Sequence, residues 1–260
     1  GNNKMKYREL YEKLLEYAPM EISDRFVAEG AYDNSGMILE TGKEIKTVVF
    51  CLDLTEDSVK YATEKGAEAI VTHHPAIYRP VKSLLDGSAV LKAANAGIGI
   101  ISNHLNLDGA KEGIDYYLAK GLGGEIVGIL DDFGNGEGYG RLSVADTTVG
   151  ELAERYKKEF GTEKVWIYGD KNKRITKYAS FCGAGLGDAE VEQAIAAGAE
   201  LVVSADIPHH VLLNAIQKGL CVLSCTHYGT ENYGMKKFSE KCAAEIKNLK
   251  IYFFEDERFI

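Results

Sequence analysis

The chain has 260 residues, 45% hydrophobic and 27% charged, enough to bury one large core or two ordinary ones without staples. Its net charge of −9 and pI near 5.3 make nucleic acid an unexpected partner, because non-specific binding there rests on Lys and Arg neutralising phosphates. No run of about 18 apolar residues occurs, so no membrane span is expected.

The opening Gly1-Asn2-Asn3-Lys4 lacks an apolar signal core and reads as an addition ahead of a native Met5, which suits a cytoplasmic protein. Residues 6–17 are the counterpart of an amphipathic helix predicted at 148–160. From Lys46 onward, strand and helix patterns alternate. Residues 47–52 are a β-branched, apolar strand. Residues 56–65 are a helix with an acidic first turn, closed by Gly66. A strand at 69–72, a helix at 89–96 ended by Gly97, a strand at 98–102, a helix at 113–120 and a strand at 125–130 follow. Such alternation predicts βαβ units and largely parallel sheets.

The order then repeats. Residues 178–182 match the first strand and 188–197 the first helix. Gly198-Ala199-Glu200-Leu201-Val202-Val203-Ser204 parallels Gly66-Ala67-Glu68-Ala69-Ile70-Val71-Thr72. A helix at 212–218, a strand at 221–224, a helix at 233–247 and a strand at 250–255 complete the second copy. A period near half the chain implies two duplicated α/β domains rather than a solenoid. The expected division is 5–130 for the first half, 131–140 for a Gly-rich acidic linker, and 141–260 for the second. The final helix and strand are candidates to pack back on the first half. Most of the five cysteines lie in apolar runs, with no second pair to complete a zinc site, and they read as buried thiols of a reducing compartment.

Polar clusters fall at the carboxyl ends of the predicted strands, where open α/β sheets collect ligands. They are Thr72-His73-His74-Pro75, Ser102-Asn103-His104 and Cys225-Thr226-His227. Adjacent side chains on extended backbone point oppositely, so His73 and His74 are expected to serve one metal each. In His104-x-x-x-Asp108 and His227-x-x-x-Glu231, spacing of four puts an imidazole and a carboxylate on one helix face. The candidate metal ligands on this spacing are His73, His74 and the two pairs, His104 with Asp108 and His227 with Glu231, on two divalent ions. Imidazole with carboxylate suits Fe, Zn, Mn or Co better than Ca. Asp33, Asn34, Asp53, Asp206, His209 and His210 are candidates to orient those ligands, Asp206 by hydrogen-bonding a ligating histidine. His104, His209 and His210 are the candidate proton-transfer groups. The glycine run from Gly183 to Gly187, after a strand and before a helix, is a weak candidate phosphate cradle.

Several motifs together resemble the NIF-three-like family, also called dinuclear-metal-centre hexameric proteins and GTP cyclohydrolase I type 2 homologues. They are Asp33-Asn34-Ser35-Gly36-Met37, Leu52-Asp53-Leu54-Thr55, Thr72-His73-His74-Pro75, Asn103-His104-Leu105-Asn106-Leu107-Asp108, Gly138-Tyr139-Gly140-Arg141, Ser204-Ala205-Asp206-Ile207-Pro208-His209-His210 and His227-Tyr228-Gly229-Thr230-Glu231. The resemblance implies two similar α/β domains, a toroidal hexamer and a dinuclear site on His73, His74, Asp108, His227 and Glu231, with His104 a weaker ligand or a supporting residue. The chain departs from the family pattern at Tyr32, where Trp is frequent, at Ser204-Ala205 and at Thr226. Function then reads as hydrolysis of a small nucleotide-like molecule, GTP by the family label. The alternatives are a two-metal phosphoesterase and a non-enzymatic metal carrier or regulatory ring.

Overall fold

The computed structural model describes residues 4–260; residues 1–3, part of the expected N-terminal addition, lie outside the described residues. The chain begins β1 (Met5–Lys6), α1 (Tyr7–Tyr17), α2 (Met20–Ala28), β2 (Gly36–Leu39), β3 (Glu44–Ile45) and β4 (Thr47–Cys51). It continues α3 (Glu56–Glu64), β5 (Ala69–Thr72), α4 (Ala89–Asn95), β6 (Gly99–Ser102), α5 (Leu105–Asp108) and α6 (Ile114–Gly121). Then come β7 (Glu125–Gly134), β8 (Glu137–Thr148), α7 (Val149–Phe160), β9 (Val165–Tyr168), β10 (Arg174–Ser180) and α8 (Asp188–Ala196). The last elements are β11 (Leu201–Ala205), α9 (His209–Gln217), β12 (Cys221–Cys225), α10 (His227–Glu245) and β13 (Lys250–Phe253). Two compact units result: residues up to Ala110 with Met235–Asp256, and Lys111–Gly234 with Glu257–Ile260.

The first unit carries a five-stranded sheet in the order β13-β4-β5-β6-β2. The first four strands are parallel and β2 runs antiparallel at the edge. Strands β4 and β5 are almost continuously apolar because helices cover a parallel sheet on both faces. Val49, Ile70 and Ile100 are fully buried against Val59 and Ala62 of α3 and Ala93 of α4. A capping box at Thr55 and Ser58 starts α3. Register pairs Cys51 with Thr72 and Thr72 with Ser102, so the three strands end level and deliver their following residues to one edge.

The second unit repeats this plan. Its six-stranded sheet has the order β7-β8-β10-β11-β12-β9. Strands β10, β11 and β12 are parallel, as β4, β5 and β6 are, and β9 is antiparallel beside β12, as β2 is beside β6. The shared chain order is helix, antiparallel edge strand, then three parallel strands with two crossover helices. The fold is thus mixed α/β and duplicated, but the second sheet is less parallel than expected, because β8 joins β10 antiparallel and β7 pairs β8. Residues 131–140, expected as a linker, are instead the end of that β7–β8 hairpin. Asn135 and Gly136, at φ 56° and 77°, form its two-residue turn. The C-terminal β13 lies in the first unit's sheet, parallel to β4.

Candidate metal centre

In the first unit, β5 ends at Thr72 and the chain bends at once. The Thr72 hydroxyl bonds the Ser102 hydroxyl at 2.7 Å and reaches the His74 carbonyl at 2.8 Å, and the Ser102 hydroxyl accepts the Ala76 N–H at 3.0 Å. Because of this bend the two imidazoles do not point oppositely, as extended backbone would require. Their ring centroids lie 5.0 Å apart, and that of His104 lies 5.4 Å from the His73 ring and 5.7 Å from the His74 ring. One ring nitrogen from each of the three lies within 4.8 Å of the other two, the spacing a metal ion needs.

Each of these imidazoles is held through Nδ1. His73, fully buried, donates to the Asn103 carbonyl at 2.8 Å. His74 meets Asp53 at 2.6 Å and His104 meets Asp33 at 2.9 Å. Asp33 in turn accepts from Ser23 and Ser35 at 2.5 and 2.6 Å. Burial pushes the Asp33 carboxyl up, but the hydrogen bonds from His104, Ser23 and Ser35 outweigh it and hold the group below the usual carboxylate range. Asp108, at the end of α5, turns its carboxylate toward the Nε2 atoms of His73 and His104. It lies 3.1 Å from His73 Nε2 and 4.0 Å from His104 Nε2, the latter as the i,i+4 pair.

The second unit builds a smaller group from the same parts. His227 opens α10, and Glu231, one turn on and 2% exposed, places Oε1 2.6 Å from His227 Nε2. Asp206, just past β11, meets His227 Nδ1 at 2.8 Å. Asp206 adopts φ 46°, the left-handed region that Asp tolerates better than most residues. Burial pulls the His227 imidazole down, but Glu231 and Asp206 outweigh it and push it up to about 9.

All four histidines thus share one arrangement: an oxygen acceptor on Nδ1, which fixes the tautomer and leaves the Nε2 lone pair for a ligand. For His73 and His227 that lone pair faces a carboxylate oxygen at 3.1 and 2.6 Å. Two lone pairs at such distances repel. The contact calls for a proton on the ring or a metal ion in its place, so the donor set fits a divalent ion that binds imidazole and carboxylate. The geometry of Gly183 agrees. A Cβ there would lie 2.8 Å from Glu231 Oε2 and 3.2 Å from His227 Nε2, so only glycine keeps the approach to this pair open.

Of the other candidates, Asp33, Asp53 and Asp206 hold histidines, whereas Asn34 donates to the Ile77 carbonyl at 2.6 Å. His209 and His210 are exposed on the first turn of α9, and neither side chain makes a hydrogen bond or ion pair among the described residues. The phosphate-cradle expectation fails: the Gly183 N–H is taken by Thr230 at 3.0 Å and the Gly187 N–H by the Glu190 carboxylate at 3.0 Å, which would repel a phosphate. A buried ion pair, Asp115–Arg141, went unread in the sequence. Asp115 Oδ2 lies 3.2 Å from Arg141 and accepts the Gly140 N–H at 2.8 Å, while Oδ1 accepts the Cys182 N–H at 3.0 Å. Tyr139 donates to the Cys182 carbonyl at 2.5 Å. Together these clamp the peptide that leads into Gly183.

Comparison with known proteins agrees with this architecture. The chain is 26% identical over 257 residues to a GTP cyclohydrolase 1 type 2 homolog of Clostridium acetobutylicum, covering 95% of this chain and 93% of that one. It is 31% identical over 226 residues to the Protein NIF3 homolog of Schizosaccharomyces pombe, covering 79% and 80%. The fold matches the crystal structure of Staphylococcus aureus hypothetical protein SA1388 with a TM-score of 0.86 at 24% identity, covering 98% and 97%. The family model for Duf34/NIF3 (NGG1p interacting factor 3) matches residues 5–258, and the chain belongs to that family.

Proposed function

We propose that the protein is a dinuclear-metal-dependent hydrolase of a small nucleotide-like molecule, with His73, His74, Asp108, His227 and Glu231 holding two divalent ions of Fe, Zn, Mn or Co. The observation that carries this reading is the common anchoring of four imidazoles through Nδ1, which commits each Nε2 to a ligand. Two donors, His227 and Glu231, are too few for a metal shell of four, which favours assigning both donor sets to one centre. A pair of divalent ions supplies Lewis acidity to water and to the group that water attacks.

The chain's own residues then have separate tasks. Asp53, Asp33, Asp206 and the Asn103 carbonyl hold the rings and raise their basicity. Gly183 keeps the approach to His227 and Glu231 clear. His104 completes the imidazole group of the first unit, and His209 and His210 are assigned to proton exchange at the rim. The relatives named GTP cyclohydrolase 1 type 2 homolog make a purine nucleotide the first substrate to try. By the same family resemblance we assign a cytoplasmic homo-hexamer, which light scattering would test.

The deciding experiment loads the chelated protein with each metal in turn and offers nucleotides and phosphoesters. Ring-opened purine with released formate supports the cyclohydrolase reading. Inorganic phosphate would reassign the centre to phosphoester hydrolysis. No turnover, with metal passing readily to a chelator, would make the protein a metal carrier. Among the described residues no helix is long and apolar enough to cross a membrane.

A further inference from the structure

Tyr32 directly precedes Asp33, which holds His104, and Tyr78 follows His74 by four residues. The two loops are tied together where Asn34 donates to the Ile77 carbonyl at 2.6 Å. That tie brings the two tyrosines into an edge-to-face pair, centroids 5.0 Å apart at 84°. Both rings remain open to solvent, 37% and 45% exposed. The Arg79 guanidinium lies 4.1 Å from the Tyr32 centroid and 5.4 Å from that of Tyr78.

Arg79 is unlike the other arginines whose partners are described. Arg8, Arg141, Arg155 and Arg174 each reach a carboxylate. Arg79 has none among the described residues and rests only on tyrosine rings, in a chain with 39 acidic and 30 basic side chains. A guanidinium that rests on aromatic rings and reaches no carboxylate keeps N–H groups available for an anion. Exposed aromatic rings beside it offer a stacking surface for a planar base, and that contact tolerates any base because each has a π-face.

We propose that Tyr32, Tyr78 and Arg79 form a nucleotide-recognition clamp at the rim of the first unit's imidazole group, the base stacking on the Tyr78 ring, Tyr32 holding Arg79, and the phosphate pairing with Arg79. The clamp deepens the hydrolase reading by giving the substrate class a binding element, and it rests on that reading only for its purpose. Binding itself needs no metal.

The test uses the full chain stripped of metal by chelation, with calorimetric titration of GMP, guanosine and ribose 5-phosphate. Arg79→Ala is expected to weaken GMP about tenfold and ribose 5-phosphate similarly, leaving guanosine unchanged. Tyr78→Ala is expected to weaken GMP and guanosine about tenfold, leaving ribose 5-phosphate unchanged. Both positions are exposed, so both variants should melt as the wild type does and take up wild-type metal. GMP affinity within twofold of wild type in both variants, or no GMP binding by the wild type at millimolar concentration, would overturn the clamp. Metal uptake, read on reloaded aliquots of the same proteins, separates the outcomes: normal uptake with unaltered GMP binding sinks the clamp alone, and absent uptake with the expected GMP losses sinks the metal reading alone.

Discussion

The two units answer one structural position with different chemistry. In the repeat, the residue two past the end of the Gly66–Thr72 segment is His74, and the residue two past its copy, Gly198–Ser204, is Asp206. In the first unit the chain bends after Thr72, and that position supplies an imidazole held in turn by Asp53 at 2.6 Å. In the second unit the strand runs on through Ala205, and the same position supplies the carboxylate that holds His227 at 2.8 Å. One exchange thus converts a candidate ligand into a ligand holder. It leaves the first unit rich in imidazole and the second with one imidazole and two acids. A duplicated scaffold can thus give its two copies different donor chemistry without altering their strand order.

The second unit backs its smaller set with a buried ion pair, and removing it should give the largest effect. Asp115→Ala removes the carboxylate that lies 3.2 Å from Arg141, 1% exposed, and that accepts the Cys182 and Gly140 N–H groups. A loss of about 3–5 kcal/mol is expected in denaturant unfolding. A loss below about 1 kcal/mol would show that the pair is not structural. Next, Gly183→Ala forces a methyl against Glu231 and asks alanine to keep φ +63°. It should cost about 1–3 kcal/mol and displace metal from the second unit's donors.

The ligand holders come next. Asp206→Asn and Asp33→Asn should each lower metal affinity about 10–100-fold, and the metal-free melting point should fall as well, more for Asp33→Asn, whose buried carboxylate accepts from Ser23, Ser35 and His104. Equal affinity in both variants and wild type would remove the assigned role of these acids. A further effect is in pH. The His227 pKa is raised to about 9 in the metal-free fold against 6.5 for the free group. Its contribution to folding is therefore full below pH 6.5, declines as pH rises and is gone above about 9. Metal at Nε2 must displace that proton, so apparent affinity should rise with pH and level off near 9. Metal-free unfolding and metal titration across this range should consequently slope in opposite directions. Parallel slopes would contradict the pairing of His227 with Asp206 and Glu231.

Much of this was legible in the sequence because it is local or periodic. The repeat, the strand-end placement of the histidines and the i,i+4 pairs all follow from side-chain period. What failed was less regular. The bend at His73 depends on Thr72 and Ser102 hydroxyls from neighbouring strands. Helix α10 starts at His227, not Tyr233, because the Thr226 hydroxyl receives the Gly229 N–H. Gly229, a weak helix former, hides that start; a Cβ there would lie 2.4 Å from the Tyr156 hydroxyl. The Asn135-Gly136 hairpin was written plainly in its turn residues but masked by the acidic, glycine-rich run around it. The Asp115–Arg141 pair spans 26 positions and leaves no local trace.

The central proposal is that His73, His74, Asp108, His227 and Glu231 hold two metal ions per chain, and elemental analysis of metal bound per chain tests it most directly. Wild type should hold about two ions. His74→Ala, which alters only the first unit, and Glu231→Ala, which alters only the second, should both fall well below that while keeping the wild-type circular dichroism spectrum. Wild-type stoichiometry in both variants would contradict the account.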